Sequence, residues 1–100
     1  MKLQNANGKI GPVVNPEKFE SMRAALLSVL PPDGPGLTFD EFCALVEPVV
    51  PRGFFPDMGS VRWYAKSVQL HLEAVGEVRR DYRSRPLRFR RVDGAAATAL

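Results

Sequence analysis

Gly76 sits between the two most regular stretches of this chain and dictates how they join. Upstream, Val61, Tyr64, Ala65, Val68, Leu72 and Val75 recur at helical spacing, one side of a helix for which Ser60 is the expected N-cap. Trp63, Ser67, Leu70 and Ala74 make a second small-or-apolar stripe beside the first, which leaves only Arg62, Lys66, Gln69 and Glu73 as a polar strip. A helix apolar around most of its circumference packs on two sides and belongs at the centre of a domain. Glycine takes the left-handed conformation that ends a helix without steric cost, so the chain should turn at Gly76. Two short β-like runs follow, Glu77–Tyr82 and Leu87–Val92, joined by Arg83-Ser84-Arg85-Pro86. Alternation along the second run aims Leu87 and Phe89 at the helices and Arg88 and Arg90 outward, and Val78 is the inward residue of the first.

That hairpin also concentrates charge. Residues 1–78 carry 7 basic and 9 acidic side chains, whereas residues 79–92 carry 7 basic and 1 acidic, within a chain whose net charge is only +3. The excess is therefore a local patch, of the kind that attracts phosphate backbones, anionic lipid or an acidic protein face. The competing explanation is that arginines on an edge hairpin block edge-to-edge aggregation.

The rest of the chain supplies two more helices. Asn15 is an expected N-cap with Pro16 in the first turn, and Phe19, Met22, Leu26, Val29 and Leu30 fall on one face before Pro31-Pro32 ends the helix. Thr38-Phe39-Asp40-Glu41 has the spacing of a capping box, opening a helix whose apolar face is Phe39, Phe42, Val46, Val49 and Val50 and whose last turn Pro48 disturbs. Leu37 offers a one- or two-residue third strand, and Phe54-Phe55 should plug the gap between the second and third helices. Residues 1–15 show no sustained period and are expected to be a mobile arm, with Ile10 and Val13-Val14 as the side chains able to dock. Residues 16–92 make the domain, and residues 93–100 are expected to be a disordered tail.

Helix, short strand, helix, helix, hairpin is the order of the winged helix-turn-helix. The run from Trp63 to Gly76, closing on Leu72-Glu73-Ala74-Val75-Gly76, resembles the third helix of that superfamily, and Arg85-Pro86-Leu87-Arg88-Phe89-Arg90 resembles its second wing strand. More narrowly, Phe19–Leu27, Gly36–Thr38 and Trp63–Leu70 resemble a family of short bacterial proteins without an assigned function, over about residues 10–92. The implied fold is α+β: three helices followed by a two- or three-stranded antiparallel wing. The implied function is binding of duplex DNA in transcription regulation. Arg62, Lys66 and Gln69 would then face the major groove, and Arg79, Arg83, Arg85, Arg88 and Arg90 would hold phosphates. The alternative use of the same fold is a protein-interaction module or homodimeric scaffold, to which Trp63, Leu70 and Phe54-Phe55 would contribute.

Other chemistries find little to work with. His71 is the chain's one histidine and is expected at the core boundary, and Cys43, its one cysteine, lies on the apolar stripe of the second helix. Neither has a partner spaced for catalysis or metal binding, so no enzyme activity, cofactor or small-molecule ligand is expected. No apolar run approaches the ~20 residues of a membrane span, and the first residues lack the apolar core of a signal peptide, so a cytoplasmic protein without a membrane partner is expected.

Overall fold

The computed structural model describes residues 1–5, 8 and 10–93. It is an α+β structure of three helices and two small antiparallel sheets, in the order β1 (Lys2–Gln4), β2 (Ile10–Val13), α1 (Pro16–Val29), β3 (Leu37–Thr38), α2 (Phe39–Val46), α3 (Met58–Ala74), β4 (Val78–Asp81) and β5 (Arg88–Arg91). Of the expected tail, residues 94–100 lie outside the described residues.

Each helix boundary has a local chemical cause. The Asn15 side chain accepts from the Glu17 and Lys18 amides at 2.8 and 3.2 Å, and α1 stops where Leu30, extended at ψ 131°, precedes Pro31. The Thr38–Glu41 capping box forms as its spacing predicts. α2 ends at Val46, before Pro48, and Val49 is turned out to solvent rather than inward. The start of α3 differs from expectation. Asp57, not Ser60, is the cap, and Ser60 sits at the third helical position, where the two residues bond reciprocally. A cap at Asp57 satisfies two orphan donors and lengthens the helix through Met58 and Gly59.

At its other end, α3 closes in a Schellman motif. Gly76 has φ +86°, its amide donates to the Glu73 carbonyl, and the Glu77 amide reaches the Leu72 carbonyl at 2.8 Å. Val75 lies past the last helical turn and is therefore exposed instead of joining the inward stripe. The core is built on Val61, Ala65, Val68 and Leu72 of α3, Met22 and Leu26 of α1, and Phe42 and Val46 of α2. Phe55 is buried against Tyr64, while Phe54 is half-buried.

In the C-terminal sheet β5 lies in the centre, antiparallel to β3 on one side and β4 on the other. Val78 is paired with Arg91, Arg79 with Arg90, Arg80 with Phe89 and Asp81 with Arg88. Paired residues point to the same face, so Phe89 takes Arg80, Val78 and Arg91 with it to the helix side. Arg79, Asp81, Arg88 and Arg90 share the outer face. Phe89 packs edge-on to Phe42 at 5.7 Å.

The largest departure from expectation is at the N-terminus. β1 and β2 pair as a hairpin that docks on α3, where a mobile arm is expected from the sequence. Leu3, only 1% exposed, and Val14 are the anchors, while Ile10 and Val13 face solvent. The Gln4 amide donates to His71 Nδ1 at 2.9 Å, and the ring of His71 stands edge-on to Phe19 at 5.1 Å. Burial pushes the His71 pKa down, against an opposing pull from Glu77.

Candidate nucleic-acid interface

The three polar residues of α3 expected at a groove do not share one environment. Arg62 stands over the Phe39 ring at 4.9 Å and pairs with Asp40 at 2.9 Å. Lys66 is exposed, with its ammonium 5.5 Å from the same ring. Gln69 is 0% exposed and cannot reach a groove, which removes it from the expected set. Its amide N–H donates to Glu73, and its Oε1 has no partner among the described residues. Helical spacing alone could not show this, because Gln69 sits where the polar strip meets the ribbon. There Glu73 is held by two hydrogen bonds from Arg80, at 2.8 and 3.0 Å.

The ribbon arginines divide into spent and unspent charges. Arg80 is committed to Glu73, and Arg91 donates to Asp93 and to the Leu30 carbonyl, both at 2.8 Å. Arg88 reaches back to the Gly36 carbonyl at 3.0 Å and to Glu41 at 3.3 Å. The Thr38 amide, more than Arg88, holds the Glu41 carboxyl below its ordinary pKa. At the tip, Arg83 is 92% exposed at its side chain and contacts Asp81 at 3.5 Å. The Arg83 amide is what lowers the Asp81 pKa most. Among the described residues the Arg85 side chain bonds only the Tyr82 and Ser84 carbonyls, and that of Arg90 only the Gly34 carbonyl at 3.3 Å. Beyond its backbone pairing with Arg90, Arg79 makes no side-chain hydrogen bond or ion pair among the described residues. Three ribbon arginines, Arg79, Arg85 and Arg90, thus form no ion pair with a carboxylate among the described residues.

One cleft connects the two halves of this surface. Lys66 of α3, Thr38, Phe39 and Asp40 at the start of α2, and Pro86-Leu87 leading into β5 line a space of about 220 Å³. Charge patterning misses the role of α2 here. Its first-turn carboxylates Asp40 and Glu41 neutralise Arg62 and Arg88, and the capping box is the signal that could have placed them. Cys43 is buried, with its thiol pKa pushed up to about 11 by desolvation, so it is an unreactive packing residue. Among the described residues no three His, Cys, Asp or Glu side chains converge to hold a metal, and no helix is long and apolar enough to cross a membrane.

These features define a small α+β protein whose third helix and C-terminal ribbon present a basic, cleft-bearing surface. The chain belongs to a family of unknown function (DUF6958), whose model matches residues 1–89 and so takes in both the N-terminal hairpin and most of the ribbon. No curated protein and no solved structure matches it.

Proposed function

We propose that the protein is a winged helix-turn-helix domain that binds duplex DNA, gripping the backbone through its ribbon rather than reading bases in detail. The observation that carries this reading is the cleft joining Lys66 on α3 to Pro86-Leu87 on the ribbon, because it brings the groove-facing helix and the wing to one surface. The β3–β5–β4 strand order and the helix–strand–helix–helix–ribbon sequence also favour it. Lys66, Arg79, Arg83, Arg85 and Arg90 are the phosphate contacts, with Arg62 and Arg88 joining if their carboxylate partners yield. Edge protection is a weaker account of the charge, since Arg88 and Arg90 lie on the central strand β5, which has no free edge. With Gln69 buried and Asp40 and Glu41 beside the helix, sequence selectivity is weak. Duplex affinity should fall steeply with salt, because each neutralised phosphate releases counterions. A titration at several salt concentrations that gives a log–log slope near zero removes the DNA reading.

A second reading, an interaction module or homodimer, is favoured by Trp63. The residue is 50% exposed although its ring packs edge-on to Tyr64 at 4.9 Å. Concentration-dependent mass with matching quenching of Trp63 fluorescence would shift the balance to this reading.

A further inference from the structure

At the base of the ribbon, away from its tip, Arg79 and Arg90 are directly opposed across β4 and β5 on the outer face. Like charges opposed across a strand pair are destabilising. Edge protection accounts for an arginine on β4 but not for one on β5. The pair borders a cleft of about 220 Å³ whose other walls are Pro32, Arg91, Val92 and Asp93. Arg91 and Asp93 pair with each other at 2.8 Å, which leaves Arg79 and Arg90 as two unbalanced positive charges among the lining residues. They are also the ones with donors to spare. The Arg79 guanidinium donates to no group among the described residues, and the Arg90 guanidinium spends one nitrogen on the Gly34 carbonyl. Arg91 is tied to Asp93 and, on the helix side, to the Leu30 carbonyl. Asp81, on the same face, is occupied by Arg83 and only feels Arg90 at a distance.

We infer that this base-of-ribbon cleft binds a phosphate monoester dianion, held between the guanidinium forks of Arg79 and Arg90. Guanidinium forks match tetrahedral phosphate oxygens in paired hydrogen bonds, and the dianion cancels the two surplus charges. The open side of the cleft leaves room for the ester substituent. An internal phosphodiester carries one charge and satisfies the site only in part. The ligand is therefore either a free phosphate monoester or the terminal phosphate of a nucleic-acid strand. The inference shares residues with the DNA reading but does not depend on it.

The test is a titration of the full chain with inorganic phosphate at constant ionic strength, followed through the arginine Nε–H resonances. Saturable shifts are expected at Arg79 and Arg90, with Arg83 and Arg85 following only the bulk trend. R79Q should weaken phosphate affinity about tenfold or more, the loss of one charge-assisted fork, and R83Q should leave it unchanged. Arg79 is exposed and unpartnered, so its replacement leaves the fold intact. Absence of saturation, or an equal loss in R83Q, overturns the inference. Duplexes with and without a 5′-phosphate separate the sources. An affinity gain from the end phosphate that R79Q abolishes assigns the site to strand ends. Saturable phosphate binding with no such gain assigns it to a free ligand. Salt-dependent duplex binding without phosphate saturation keeps the DNA reading and ends this one, and saturation without duplex binding does the reverse.

Discussion

The molecule carries two antiparallel ribbons on α3, and they are built by opposite means. The N-terminal hairpin is held by a few long-range contacts, Leu3 and Val14 in the core and the Gln4 amide on His71, and its outward side chains Ile10 and Val13 are apolar. The C-terminal ribbon is seated by Phe89 and Val78, is paired on both sides of β5, and has an outer face lined with arginine. One ribbon is a lid over apolar surface, and the other is a platform that holds charge in water. Secondary structure alone does not tell them apart. What differs is how much of each residue's environment is local.

The contrast is broken or sharpened first by removing each anchor. Phe89→Ala should cost about 3–5 kcal/mol and Leu3→Ala about 2–5 kcal/mol, typical of large-to-small changes at fully buried sites. Urea unfolding measures both. A cost well under 1 kcal/mol for Leu3→Ala would show that the N-terminal hairpin is not integral to the fold, and the expected arm would then be the better description of residues 1–15.

How much could be read from the chain follows the same division. The helices, the capping box at Thr38, the turn at Gly76 and the inward set Leu87, Phe89 and Val78 all rest on spacings of four residues or fewer, so periodicity and cap chemistry find them. The N-terminal hairpin was illegible because its reward is nonlocal. Leu3 is one apolar residue among polar neighbours, and the acceptor for Gln4 lies 67 residues away. At the candidate site, the exposed arginines of the ribbon were legible from alternation and charge. The partners that spend them were not, because Asp40 and Glu41 meet Arg62 and Arg88 only through the packing of α2. The burial of Gln69 is hidden from the sequence for the same reason. Its neighbour Glu73 is drawn into a hydrogen-bonded chain with Arg80, which no helical wheel shows.

The next effect is a pH dependence specific to the N-terminal side. His71 has a folded pKa below its unfolded value near ~6.5. The unfolded chain therefore binds the proton first, and the stability His71 contributes is present above that pH and is lost as pH falls through its lowered folded value. Protonation at Nδ1 also removes the acceptor for the Gln4 amide. Glu77, whose pKa is lowered by its hydrogen bonds from Arg23, acts in a separate window below its unfolded value near ~4.3. Urea midpoints measured through the His71 window, above that of Glu77, should decline with acid, and His71→Leu should flatten that decline while lowering stability at neutral pH. An unchanged slope in the variant would mean that His71 does not fasten the hairpin. Amide exchange would locate the loss, with Gln4 deprotected well before Arg80 on the other ribbon.

The smallest effect has the opposite sign and belongs to the charged platform. If the arginine face is held for a ligand, the ribbon must be less stable than a neutral version of itself. Arg79 opposes Arg90 directly and has no compensating carboxylate. Arg79→Gln removes that repulsion without disturbing a hydrogen bond, a gain of about 0.2–1 kcal/mol at low ionic strength. The gain should shrink as salt is raised, since the Debye length falls to about 8 Å near 0.15 M and exposed charges are screened. Arg80→Gln on the helix side should do the reverse, because it breaks two hydrogen bonds to the buried Glu73 carboxylate. Neighbouring arginines on one strand, whose replacements move stability in opposite directions, separate charge that supports the fold from charge the fold tolerates. If both variants are destabilised, Arg79 has a structural partner and the platform is ordinary sheet.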